Sequence, residues 1–378
     1  MKKIAIVTVL TAFCLALTYG LAGAVVGGAC SNCHTMHNSQ NNAPMNWDSN
    51  PVPNPTLLRG DCIGCHGQGT ANNIEFAGTT PQVVHTNATD LAGGNFAYIT
   101  GGKPIDASDS GATTSTAGHN VVELGVPETT AAMFPPPGDE HSQVGITAAT
   151  FTCAGTLGCH GDRTLAGSMA AVRGSHHVND SVLKFGTINE GGQGGTTALS
   201  YRFLNGVHGG EDADWQATVT DSDHNEYKGA TGGVESGSPS VPGGNTVSGL
   251  CAECHGNFHG EAADIGTGPW LRHPTDIVLP ATATKEYQYY NNCAGGGAAC
   301  MYSPAAPVAR AAIPNAVSNQ TTPGPATNDC IVMCLSCHKA HATANADILR
   351  WNYEDINAGG GASNARCFIC HTTKDTGS

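Results

Sequence analysis

Charge and aromatic residues are both scarce in this chain of 378 residues: Asp, Glu, Lys and Arg together make up 12%, and Phe, Trp and Tyr 6%. Apolar runs at helix or strand period are sparse, so side chains alone supply little material for the two or three cores that such a length suggests. Disorder is excluded as the reason, because it goes with high charge and low hydrophobicity, and apolar residues reach 40%. No basic stripe occurs and the net charge is −14, which argues against nucleic acid as a partner. After the first residues no apolar stretch approaches the roughly 18 needed to span a membrane.

Those first residues read as an export signal. Lys2 and Lys3 form a basic start, residues 4–17 an apolar stretch, and Ala22, Gly23 and Ala24 a small-residue cleavage site. Residues 1–24 are therefore expected to be removed, leaving 25–378 as a single body. Cys14 follows Phe13, not the small residue that lipidation requires. The acidic stretches Glu211 to Trp215 and Asp221 to Glu226 are expected to be solvated loops.

What the chain has in abundance is Gly (50), His (17) and Cys (16). The spacing of the cysteines argues against a disulfide framework. C-x-x-C-H occurs five times: Cys30/Cys33/His34, Cys62/Cys65/His66, Cys251/Cys254/His255, Cys334/Cys337/His338 and Cys367/Cys370/His371. This is the c-type haem attachment pattern. The two thiols add to the porphyrin vinyl groups, which sets the next histidine on the iron. Neither a zinc ribbon nor a disulfide has a use for that histidine. Cys153, Cys159 and His160 form a sixth candidate with five residues between the thiols; the bland alternative is a disulfide beside a spare histidine. Cys293 and Cys300 could close a small disulfide loop, and Cys330 has no obvious partner.

Six proximal histidines leave eleven for the far side of six irons, so bis-histidine ligation is numerically easy. His37 lies three residues after His34, too close for the chain to pass round the macrocycle to the same iron. It must serve another haem. His255/His259 and His338/His341 repeat the arrangement, and residues three or four apart on a helix stand only roughly 5–6 Å apart, so neighbouring haems are stapled together. His85, His119, His176, His177, His224 and His273 are the other distal candidates, and His141 and His208 the expected spares.

The stretches "CSNCHTMHNS", "GHN", "LCAECHGNFHG", "LRHP", "CLSCHKAHA", "LRWNYE" and "CFICH", in that order, resemble exported cytochromes of the hexahaem outer-membrane cytochrome S type. The resemblance covers nearly the whole mature chain. It implies six haem c groups, a homopolymeric extracellular filament with a continuous haem stack, His37 ligating the haem at Cys334/Cys337 of a neighbouring copy, and His119, His259, His273 and His341 ligating within the chain. The longer third motif departs from the family pattern.

The expected fold is mostly coil with short α-helices, an elongated multihaem cytochrome c built around a stacked haem chain. Helices are expected at 164–173 and 347–353. The expected function is long-range electron transfer, with electron-donor cytochromes on one side and external acceptors such as metal oxides on the other, and without enzymatic activity. A soluble periplasmic or outer-membrane-associated carrier is the alternative. A multihaem reductase needs an open iron, often with C-x-x-C-K, which does not occur.

Overall fold

A computed structural model describes residues 27–47, 49–126, 136–138, 146–172, 200–231, 245–259, 273–281, 290–291, 293, 298–357 and 365–371. The expected signal segment, His141, His176 and His177 lie outside them, and of His259 only the backbone is described. The fold is mostly coil, with short helices and two-stranded ribbons.

Its strands form five antiparallel ribbons among the described residues: β1 (Ser39–Gln40) with β2 (Ala43–Pro44), β3 (Ile74–Glu75) with β4 (Thr80–Pro81), β5 (Gly209–Gly210) with β6 (Glu226–Tyr227), β7 (Ile277–Val278) with β10 (Ile331–Val332), and β8 (Cys300–Met301) with β9 (Gln320–Thr321). The turn between β1 and β2 is Asn41–Asn42, both at positive φ. Asparagine tolerates that geometry, and it matches the twist of a tight hairpin.

The helices are α1 (Ile63–His66), α2 (Ala97–Thr100), α3 (Ser168–Val172), α4 (Val247–Ala252), α5 (Cys334–Cys337) and α6 (Ala365–Phe368). None exceeds six residues, so none gains much from propagation; packing and caps hold them. Thr246 caps α4 by accepting the N–H of Gly249 at 2.9 Å.

Both expected helices are shortened or absent. At 164–173 the helix starts only at Ser168, because Asp162 accepts the Thr164 N–H at 3.0 Å and Gly167 takes φ +86. At 347–353 there is only a 3-10 turn, Ala346–Ile348, with Asp347 at φ 55. The segment instead pairs with the fifth motif: Leu349 bridges His338, and the Arg350 N–H donates to the Cys337 carbonyl at 2.9 Å. Tertiary hydrogen bonds outweigh local propensity there.

Apolar side chains gather in three clusters, each against attachment cysteines. Ile63, Val84, Phe96 and Ile99 lie by Cys153; Tyr201, Tyr227, Val247 and Met333 by Cys251; Tyr290, Tyr302, Val308 and Trp351 by Cys337, Cys367 and Cys370. Cys293 and Cys300 form a disulfide. Cys330 is buried beside it, and burial pushes its thiol up to about 12.

The acidic stretches are not solvated loops throughout. Glu211, Asp212, His224, Asn225 and Glu226 are all buried. Arg310, far along the chain, donates Nε to Glu226 Oε2 at 2.7 Å, and Arg202 stands 3.5 Å from Glu211. A carboxylate can be buried when a guanidinium meets it, and sequence does not announce that partner.

Candidate haem-binding site

Each C-x-x-C-H closes on the same backbone hydrogen bond, from the histidine N–H to the carbonyl of the first cysteine. The lengths are 2.9 Å for His34, His66 and His255 and 3.0 Å for His338 and His371. In the first, second, fourth and sixth motifs the second cysteine also donates to that carbonyl: Cys33 to Cys30, Cys65 to Cys62, Cys254 to Cys251 and Cys370 to Cys367, each at 3.2 Å. The third motif makes both bonds too, His160 to Cys153 at 3.0 Å and Cys159 to Cys153 at 3.2 Å. Its three extra residues are looped out between unchanged ends. Glycine makes the loop possible: Gly155 has φ +90, and a Cβ at Gly158 would lie 2.5 Å from the Thr152 carbonyl oxygen. Both sulfurs and the imidazole therefore leave the backbone as in an ordinary motif.

All six cysteine pairs keep free thiols: Cys30 and Cys33, Cys62 and Cys65, Cys153 and Cys159, Cys251 and Cys254, Cys334 and Cys337, and Cys367 and Cys370. The disulfide alternative at Cys153 and Cys159 is therefore not the arrangement seen. Cys254, like Cys251, is half-buried.

The motifs adjoin in chain order. The thiols of Cys33 and Cys65 hydrogen-bond, as do those of Cys62 and Cys153 and those of Cys251 and Cys334. Arg163, just past the third motif, binds Glu253 beside Cys254 in the fourth, with Nη2 to Oε1 at 2.7 Å. Cys337, Cys367 and Cys370 share one apolar cluster.

Three imidazole pairs face each other. The ring centres of His119 and His255, of His160 and His341, and of His273 and His338 each stand 6.2 Å apart. Two bonds of about 2 Å to one metal, plus about 1.1 Å from each nitrogen to its ring centre, require a separation of about 6.2 Å. Every pair joins a proximal histidine to a distal candidate. Among the described residues no group of three or more His, Cys, Asp or Glu is placed to hold a metal ion. Pairs, not clusters, are what a porphyrin-held iron needs.

Backbone carbonyls orient these rings. Nδ1 of His66 meets the Pro81 oxygen at 2.7 Å, of His160 the Arg202 oxygen at 3.1 Å, of His255 the Pro137 oxygen at 2.7 Å, and of His338 the Asp347 oxygen at 2.7 Å. His119 Nδ1 meets the Ala340 oxygen at 2.8 Å. A carbonyl only accepts, so Nδ1 carries the proton and Nε2 keeps a lone pair for iron. Burial keeps the rings neutral: it lowers His119 to about 4 and His341 to about 3, and it lowers His160 and His338 as well.

The stretch from His338 to His341 touches three of these centres. His338 faces His273, the Ala340 carbonyl orients His119, and His341 faces His160. The segment is held by antiparallel pairing with 117–119, in which His119 donates to the His341 oxygen at 3.0 Å and Thr343 to the Ala117 oxygen at 2.9 Å. Only glycine fits beside it. A Cβ at Gly118 would lie 2.6 Å from the Ala342 Cβ, and one at Gly93 would lie 2.9 Å from the His341 ring.

Other candidates are not brought into pairs. His85 is wholly buried, its Nε2 has no hydrogen-bond partner among the described residues, and burial lowers it to about 4. The Asn95 amide nitrogen, a donor, faces its Nδ1 at 3.3 Å, which favours the proton on Nε2 and withholds that lone pair from a metal. His224 lies flat on Tyr302, ring centres 3.7 Å apart, with Nε2 3.6 Å from Glu226. Neither ring has a facing imidazole among the described residues. His37 is exposed at the foot of the β1–β2 hairpin. The expectation that His37 of a neighbour completes the fifth motif meets a correction, since His273 of the same chain already faces His338. Ring pairing and carbonyl tethers are tertiary features, and "GHN", "RHP" and the spacing of His341 after His338 were their local signals.

Residues 324–376 match the family model for a doubled CXXCH motif. The chain is similar to C-type cytochrome OmcS of Geobacter sulfurreducens, 27% identical over 373 residues, covering 85% of this chain and 78% of that one. Two solved structures are similar, the cryo-EM OmcS nanowires and the outer membrane cytochrome S filament from the same organism, at 20% and 19% identity. Each covers 87% of this chain and 85% of its own, with a TM-score of 0.44. With its recurring C-x-x-C-H motifs, the chain resembles the multihaem c-type cytochrome OmcS, and its cysteine pairs are those of covalent haem c attachment.

Proposed function

We propose that this protein carries electrons over long distances through six haem c groups, each ligated by two histidines, as the subunit of an extracellular homopolymer. The carrying observation is the set of three imidazole pairs at 6.2 Å. Bound haem supplies a one-electron iron couple, and two imidazoles on one iron leave no position for a substrate. The chain's own part is to orient Nε2 through the carbonyl tethers, to bury the rings from water, and to keep consecutive motifs side by side. On this reading it is not an enzyme, and both the donor cytochromes and the external acceptors, such as metal oxides, exchange only electrons with it.

His119, His273 and His341 are the distal ligands for the fourth, fifth and third motifs. His37 ligates an iron of a neighbouring copy other than the fifth motif's, which His273 completes. Exposure of His37, with Met36 at 73%, Val52 at 64% and Leu57 at 47% exposed around it, supports an outward contact. A head-to-tail contact of this kind propagates as an open filament. The intact mass of the purified mature protein tests the count. Six haem additions are expected; five, with Cys153 and Cys159 joined as a disulfide, would remove the third site.

A further inference from the structure

Between the fifth and sixth motifs lies a cavity of about 420 Å³ lined by Asp106, Lys339, Arg350, Trp351, Asn352 and Arg366, among others. Its charges are unevenly matched. Arg366 is answered by Asp355 at 3.3 Å, and Asp106 accepts from Ser108 and Asn352. Lys339 Nζ and the two terminal nitrogens of Arg350 have no hydrogen-bond or ion-pair partner among the described residues. Asp90, whose charge reaches Lys339, is bound to Lys103 at 2.6 Å.

Two cations facing one cavity repel each other, and both are partly withdrawn from water. That arrangement calls for anionic oxygens. Both residues are fixed to the fifth motif's backbone: Lys339 follows His338, the Arg350 N–H donates to the Cys337 carbonyl at 2.9 Å, and its Nε donates to the Leu335 carbonyl at 2.7 Å. Committing Nε to the backbone holds the guanidinium still and leaves its terminal nitrogens for a carboxylate.

We infer that Lys339 and Arg350 bind the propionate carboxylates of the haem attached at Cys334 and Cys337, an inference that rests on that haem being present. The pair neutralises the propionates and raises the tendency of that haem to take an electron. A free carboxylate or phosphate has the same chemistry, and the experiment separates the two.

The test uses the full protein with haem carrying carbon-13 at its propionate carboxyls, and compares Lys339→Gln, Arg350→Gln, Arg350→Lys and Arg366→Gln. Peptide mass first establishes haem on Cys334/Cys337 in the unmodified protein; a bare pair there overturns the haem reading and this inference with it. With haem present, spectropotentiometry of Lys339→Gln or Arg350→Gln should move one component to lower potential. The expected size is a tenfold change in its reduction equilibrium, about 59 mV for one electron. Labelled carboxylate bands should shift in the same variants. Arg350→Lys should restore most of the change, and Arg366→Gln, whose cation is already paired, should cause little. Unchanged potentials and bands in both Gln variants would overturn the inference. So would a shift that appears only with added inorganic phosphate, which would make the occupant a free anion.

Discussion

His160 and His341 stand with their ring centres 6.2 Å apart, although one belongs to the third attachment motif and the other follows the fifth. The contact ties the irregular motif to the segment that follows the fifth. His341 is fixed by the pairing of 341–343 with 117–119, and its ring lies against the Gly93 backbone.

Replacing His341 should expose one iron. In His341→Ala all six haems should remain by mass, because attachment needs only the cysteines and proximal histidines. Electron paramagnetic resonance of the oxidised protein should then gain one high-spin iron per chain. Six low-spin irons would mean that another residue faces His160.

The third motif should fail if its loop cannot close. In Gly158→Val the new Cβ would lie 2.5 Å from the Thr152 oxygen and 2.6 Å from the Ala154 nitrogen. The intact mass should fall by one haem, with the other five retained. Full loading of this variant would show that the tight loop is dispensable for attachment.

His37→Ala should keep six haems yet leave one iron per subunit without its sixth protein ligand. Filaments in secreted material, imaged by cryo-electron microscopy, should disappear. Ordered filaments with six low-spin haems would assign the intersubunit ligand elsewhere. A protein monomeric in both forms would favour the soluble carrier.

The buried pair of Glu226 and Arg310 should matter to stability. Glu226 also accepts the Ser318 N–H at 3.0 Å, and Arg310 is 4% exposed. Removing one partner of a buried pair leaves an uncompensated charge and costs about 3–5 kcal/mol. Glu226→Ala should sit near the lower end, because Asp329 remains 3.4 Å from Arg310. Denaturant unfolding followed by circular dichroism measures it; no change in midpoint would refute the buried-pair account.

The candidate attachment motifs were legible in the sequence because their chemistry is local: two thiols and a histidine within five residues dictate where a porphyrin can be fixed. The separation of duties between His338 and His341 was legible for the same reason, since three residues of chain cannot round a macrocycle. Sparse periodicity likewise announced short helices and coil. Which distal ring meets which proximal one was not legible. The pairs 119 with 255, 160 with 341 and 273 with 338 depend on hydrogen bonds between segments far apart in the chain, such as 117–119 with 341–343. Charge misled in one place, since a run of acids reads as solvated until Arg202 and Arg310 are seen to meet it. Propensity misled in another, because the segment at 347–353 gives up its helix to hold the fifth motif's histidine. Local covalent chemistry is written in adjacent residues, whereas ligand pairing and charge compensation are decided by distant ones that only the fold brings together.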